Sequence, residues 1–427
     1  MAAMTLDSLD IIDPDLYVAR GYPHEEWTLL RREAPVYWYE RPNVHPFWAI
    51  TRHSDLIEVS RQPELFNALP AERRLLFIVE HDPNERELDE PVLHQLLNMN
   101  PPTHGAYRAV VNRRFTPQAV RQLSNQIEQV TAQVLDSAMD RTDGDFVTQI
   151  SARLPLAVIC EMFGIPRSDW DRMFRLSNEM IGPSDPEYRD TRGIADTLER
   201  ARMEFFQYFS GLIEDRRQTP RDDLASALTH GRVDGEPMQP FELLSYFALL
   251  IIAGNETTRN AITGGLYALV QHPEQWQDLR RDPGLIPSAV DEIIRWVSPV
   301  IQFTRIATRD TELRGQKIRE GEVLALFYPS ANRDEEVFVD PFEFDIRRNP
   351  NPHVAFGIGE HYCLGANLAR LELQIMFRQL IDRLAEVELT GPIERMRSSF
   401  VGGIKHMPIR YRMLPRREAS AAAASGV

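Results

Sequence analysis

Phe356–Gly365 reads FGIGEHYCLG, and its cysteine, Cys363, stands among three glycines just ahead of a helical pattern. Glycines at 357 and 359 supply a tight turn in which the backbone can pass close to another group. From Leu364 to Leu384 the chain, LGANLARLELQIMFRQLIDRL, repeats apolar residues at helical spacing. Cys363 is therefore placed just before a helix N-terminus, where unpaired N–H groups and the positive end of the dipole lower a thiol's pKa. A thiolate so held is a nucleophile, a redox sensor or a metal ligand.

Composition narrows the setting. The 427 residues are 43% hydrophobic and 26% charged, within the globular range. No Pro/Gly/Ser linker divides them, so one unit is expected over residues 1–415, followed by a small, polar, disordered tail at 416–427. Cys160, in LPLAVIC, and Cys363 are the only cysteines. They form neither a disulfide framework nor a zinc-type CxxC pair, and a reducing cytoplasm is expected, with Cys160 structural. A net charge of −15 argues against nucleic acid. No run approaches ~18 uninterrupted apolar residues, so no membrane span is expected.

Along the chain, Pro35–Thr51 predicts two aromatic strands around Pro42 and Asn43, then a helix from about Ser54, giving a small sheet at the N-terminal edge. Residues 66–98 mix acidic and apolar side chains without a period and read as a long mobile connection. A helix opening after Pro102 puts His104 and Arg108 on one face, a spacing that suits an ordinary solvated surface. The stretch from Thr116 to Asp222 is helical in pattern, with TPQAVRQLSNQIEQVTAQVLDSAM one of its clearest amphipathic runs. A very long helix is predicted over Pro240–Gln271, roughly 45 Å from end to end. It is apolar all round before Ala253, hence buried, and then presents Asn255, Glu256, Thr257 and Thr258 in succession. Those four residues mark either a desolvated polar site or a helix emerging into solvent. The apolar GGLYALV that follows favours the site.

The pattern FxxGxxxCxG, set by Phe356, Gly359, Cys363 and Gly365, resembles the haem-binding loop of the cytochrome P450 monooxygenases. Other features stand in the family's order from about residue 10 to 412: His104 with Arg108, AGNET at Ala253–Thr257, Glu292 and Arg295 as an ExxR pair, Arg305, and His361. The resemblance implies a mainly α fold with small β-sheets and the long helix crossing over haem b. Cys363 would be the iron ligand, in a loop formed with Phe356, Gly357 and Gly365. His104, Arg108, Arg305 and His361 would bind the propionates, and Glu256 and Thr257 would deliver protons. Glu292 and Arg295, joined by Arg347 or Arg348, would brace the loop.

The implied reaction is insertion of one atom of O2 into a C–H bond. The chain lacks a flavin or NAD fingerprint, so electrons would come from a separate iron–sulfur ferredoxin and an NAD(P)H-dependent reductase. Arg113, Arg114, Arg121, Arg347 and Arg348 would form a basic patch that steers the ferredoxin. Flanking runs such as RNPNPHVAFG and SSFVGGIKHMPIRY resemble soluble bacterial members acting on sterols, terpenoids and long or branched lipids. Leu249, Ile252, Ala253, Val300, Ile301, Phe303 and Val401 are the expected pocket walls. A hydrogen-peroxide-driven peroxygenase and a non-catalytic haem ligand-binding protein are the alternatives. Glu256 and Thr257 weigh against both, since proton delivery is needed where O2 is reduced and cleaved.

Overall fold

The computed structural model describes residues 4–68, 76–80 and 93–416. The expected tail therefore lies, from residue 417 on, outside the described residues. The aromatic runs fold as antiparallel β1 (Val36–Tyr39) and β2 (Phe47–Ile50), with Trp38 opposite Trp48. Asn43 turns the chain at φ 62°, a left-handed conformation that Asn tolerates. The following helix, His53–Ser60, begins where expected.

This sheet is local only at its edge. β3 (Phe66–Asn67), β4 (Gln302–Ala307) and β5 (Val323–Phe327) complete the order β1-β2-β5-β4-β3. β5 runs parallel to β2 and antiparallel to β4, and all five of its residues, VLALF, are buried. A continuous apolar run is what a strand covered on both faces requires.

The connection over 66–98 departs from the long mobile segment expected, wherever it is described. Phe66 and Asn67 pair with β4, and Gln302 on β4 clamps Ile78 by accepting from its N–H at 3.1 Å and donating to its carbonyl at 2.6 Å. Thr304 N–H also donates to Leu76 O at 3.0 Å. A one-residue clamp of this kind has no periodic signal. Residues 69–75 and 81–92 lie outside the described residues.

Helices make up most of the rest. Those that frame the site are α1 (Thr103–Asn112), α2 (Arg153–Phe163), α3 (Trp170–Ile181), α4 (Ile194–Gln218), α5 (Pro240–Gln271), α6 (Ile286–Val297) and α7 (Ala366–Arg383). The amphipathic run from Thr116 divides at Leu123 into Pro117–Gln122 and Ser124–Asp136. α5 has the predicted bounds. Pro240 sits at its first position, and the Glu242 carboxylate reaches back to accept from Gln239 N–H at 3.0 Å, closing a capping box. Its glycines set the packing, since a Cβ on Gly265 would lie 2.6 Å from Phe377 of α7 and 2.8 Å from Ile293 of α6. Small residues there let α6 and α7 press directly against α5. Among the described residues, no helix is long and apolar enough to cross a membrane.

The ExxR pair is buried to exclusion of solvent. Arg295 donates twice to Glu292, each at 2.7 Å, and also to the carbonyls of Asn332, Pro341 and Glu343. The third member is Arg348, whose Nε lies 3.2 Å from the same carboxylate, while Arg347 reaches outward to Asp278 at 2.6 Å. Removing one partner of a buried pair strands the other charge. Arg348→Ala is expected to cost about 3 kcal/mol and Arg347→Ala about 0.5 kcal/mol or less. Urea unfolding of both variants reads the difference directly.

Candidate active site

The Cys363 loop is shaped by its glycines. Gly357 and Gly359 take φ 71° and 72°, and a Cβ on Gly359 would meet the Ser60 carbonyl at 2.8 Å. Gly357 N–H donates to Val354 O and Cys363 N–H to Phe356 O, both at 2.8 Å, so the turn closes on itself. Gly365 caps α7, which starts at Ala366, two residues later than the apolar pattern suggested. Burial pushes the Cys363 thiol up, against the Gly365 N–H and the guanidiniums of Arg108 and Arg370. The helix terminus alone does not sustain a thiolate there, contrary to the expectation from sequence: dehydration of the sulfur outweighs the terminal N–H groups.

Beside the loop, α1, β4 and the turn itself bring four basic side chains together. His104 is buried, its ring 4.5 Å from that of His361, and the Nε2 atoms of both have no hydrogen-bond partner. Arg108 reaches the Glu360 carbonyl at 3.4 Å, and Arg305 donates to Thr304 O at 2.7 Å. Burial and the neighbouring cations push His361 down to about 3 and His104 in the same direction. Burial also lowers Arg305. Among the described residues, no carboxylate pairs with any of the four. A cluster of unpaired, dehydrated donors fits an anionic group, and two carboxylates such as haem propionates match it.

Above the loop, α5 walls a cavity of about 430 Å³ that reaches Cys363. Leu249, Ile252, Ala253, Val300, Phe303 and Val401 line it as expected. Ile301 does not. It precedes β4, with its N–H and carbonyl bonded to Phe400 and Tyr328, and packs into the N-terminal apolar cluster with Trp27 and Phe47.

Asn255, Glu256 and Thr258 of α5 are buried and Thr257 is half-buried, so the helix does not emerge into solvent there, yet the polar residues divide between two sides. Thr257 borders the cavity and donates Oγ1–H to Ala253 O at 2.9 Å. Glu256, fully buried, turns away from the cavity to Arg259, which also donates to Asn178 at 3.0 Å. Successive helical residues point about 100° apart, so neighbours in sequence need not share a site. Burial pushes the Glu256 carboxyl up, and Arg259 pulls it back.

Two charged lining residues escaped the sequence reading. Glu372 on α7 is 2% exposed, has an unpartnered Oε2, and is pushed up to about 8 by burial. Its signal was an acid one turn from Leu368 and Met376, on the buried face of an amphipathic helix. Arg202, on α4, also borders the cavity. The expected basic patch is reduced: Arg348 points inward, and Arg347 and Arg114 pair with Asp278 and Asp222, leaving Arg113 and Arg121 exposed.

The cytochrome P450 family profile matches residues 79–284 and 277–402. The chain is a cytochrome P450. A steroid C26-monooxygenase of Mycolicibacterium smegmatis is 37% identical to this P450 over 409 residues, covering 94% of this chain and 93% of that one. A methyl-branched lipid omega-hydroxylase of Mycobacterium tuberculosis is 38% identical over 426 residues, covering 96% and 95%. A solved Mycobacterium marinum cytochrome P450 in complex with pseudoionone superposes with a TM-score of 0.85 at 33% identity, covering 96% of this chain and 100% of that chain. The P450 is accordingly a monooxygenase with a haem-thiolate iron, built on an α-rich fold with small sheets.

Glu372 makes this site sensitive to pH. A carboxyl raised to about 8 in the fold and ordinary when unfolded carries no penalty below about pH 4, then an increasing one until about pH 8. Glu372→Gln should therefore gain stability over the wild type as pH rises from 5 to 8, by roughly 4 kcal/mol at most. Urea midpoints across that range test it, and a constant difference would contradict the assignment.

Proposed function

We propose that this P450 hydroxylates a hydrophobic steroid or branched lipid, using haem b and electrons delivered by a separate ferredoxin and reductase. The observation that carries this reading is the apolar cavity that joins Thr257 to Cys363 beside an unpaired basic cluster. The names of the similar monooxygenases, one steroidal and one for methyl-branched lipids, supply the substrate class.

Cys363 would ligate the iron, and His104, Arg108, Arg305 and His361 would donate to the propionates. When bound, the haem supplies O2 activation, which electron donation from a cysteine thiolate favours. The protein's own part is positioning and proton control. Leu249, Ile252, Val300 and Phe303 exclude water and hold the C–H bond to be attacked. The Thr257 hydroxyl rests on the Ala253 carbonyl and can rotate to hold a proton toward the cavity. Glu256, behind α5 and paired with Arg259, has its carboxyl pushed up by burial, and its expected part in proton delivery would be played from that side, away from substrate.

With ferredoxin, reductase and NADPH, the wild type should yield a hydroxylated product from a panel of steroids and branched lipids. Thr257→Ala should consume NADPH while product falls and hydrogen peroxide rises, so an unchanged ratio of product to NADPH would refute the role given to Thr257. Separately, Cys363→Ala should lose the thiolate-type carbon monoxide difference band. Cys160, buried in α2, should tolerate Ala with that band intact.

A further inference from the structure

Four rings in a continuous series border the cavity, although they come from separate stretches of chain: Phe77, Phe400, Phe303 on β4 and Tyr328 just past β5. Phe77 stacks on Phe400 with centroids 3.8 Å apart and planes 13° from parallel. Phe400 meets Phe303 edge-on at 5.6 Å, and Phe303 meets Tyr328 at 6.3 Å. Backbone bonds fix Phe400, since its carbonyl accepts from Ile301 N–H and Gly402 N–H donates to Pro299 O, both at 2.8 Å.

Phe77 is held in another way. Residues 76–79 belong to no strand, and Thr304 N–H on Leu76 O is a single bond about which the chain can turn. The Ile78 side chain sinks into the N-terminal apolar cluster beside Trp27, which sets its depth, but apolar contact has no direction and leaves the peptide free to twist. Gln302 removes that freedom. Fully buried, it accepts from Ile78 N–H and donates to both Ile78 O and, at 3.3 Å, Ser399 O, while Ser399 Oγ–H donates to Ile78 O at 3.3 Å. One carboxamide thus spends an acceptor and two N–H hydrogens on joining the segment that bears Phe77 to the segment that bears Phe400.

We propose that Gln302 is a positioning residue for the hydroxylation, acting through Phe77. By fixing the Ile78 peptide it fixes the direction in which Phe77 leaves the chain, so the ring stays against Phe400 and the cavity presents a rigid aromatic wall. That wall decides how the substrate lies and which carbon is attacked. Without the clamp the ring swings, each of its positions admits a different pose, and the products spread. The assignment rests on the hydroxylase reading above and adds to it a determinant of the position oxidised.

The test compares haem-loaded wild type, Gln302→Leu, Phe77→Ala and the double variant, by optical titration and by turnover with a neutral steroid and a branched fatty ester. Gln302→Leu removes the hydrogen bonds at similar size. It should keep the thiolate-type carbon monoxide band, weaken ligand binding roughly 3- to 10-fold, the range of one aromatic contact, and lower the ratio of major to minor products severalfold. Phe77→Ala should lower the ratio likewise, and adding Gln302→Leu to it should change nothing more, because no ring is left to position. Additive losses would overturn the assignment. Gln302→Glu gives a reading that general loosening does not move. Protonated, the acid supplies the donor and acceptor that Ile78 needs, whereas ionised it loses the donor and faces two carbonyls. Burial favours the protonated form, so the product ratio of Gln302→Glu, divided by that of wild type at the same pH, should lie near one at about pH 6 and fall by about pH 9. Should Gln302→Leu fail to load haem, Phe77→Ala, which leaves the clamp intact, still decides. An unchanged ratio in Phe77→Ala, or a level one across pH in Gln302→Glu, removes the assignment while the hydroxylase reading stands. If wild type neither binds nor oxidises either ligand, both fall together.

Discussion

One buried carboxylate, that of Glu292, organises the approach to the cysteine loop. Arg295 donates to both of its oxygens, Arg348 and Asn351 add further donors, and the Asp345 N–H completes the shell. These partners come from α6 and from the irregular chain between residues 332 and 351, so one ion binds a helix to a segment without regular structure. A carboxylate dehydrated this fully is tolerable only with every lone pair occupied, so the irregular segment must hold one conformation. The Cys363 turn begins five residues past Asn351 and inherits that rigidity. At its other side, the close approach of Ser60 to Gly359 pins the turn against the N-terminal region.

Given that frame, the site is a meeting of two electrostatic regimes. Around the loop, four basic side chains crowd together with no acid among the described residues, and burial lowers His104, His361 and Arg305. Above it the walls are mostly hydrocarbon, broken by polar side chains such as Thr257, Thr258, Arg202 and Glu372. Unpaired cations at a buried rim are a stored demand for an anion, while an apolar chamber rewards any ligand that brings no charge into its middle. The acidic surface, with a net charge of −15, contributes little inside because exposed charges are screened within about 10 Å.

The arginines expected to form a docking patch show why charge runs are poor guides to surface. Arg347 and Arg348 are adjacent, yet one is solvated beside Asp278 and the other is inserted against Glu292. Adjacent residues in an irregular segment can face opposite ways, and only the distant carboxylates reveal which one turns inward.

By itself the sequence determined what depends on short range. The glycine spacing around Cys363 dictates a turn with two positive φ angles, the apolar period dictates α5 from Pro240 to Gln271, and the ExxR spacing dictates a pair one turn apart. Steric limits and helix geometry act over a few residues, so they are legible in a few residues. What required the tertiary structure is everything set by burial or by partners far along the chain. It turned Glu256 away from the cavity that Thr257 faces, sent Ile301 into the N-terminal cluster, chose Arg348 over Arg347, and placed Glu372 and Arg202 on the cavity wall. It also reversed the expected direction of the Cys363 thiol, because the dehydration of a sulfur is the work of every element that closes over it.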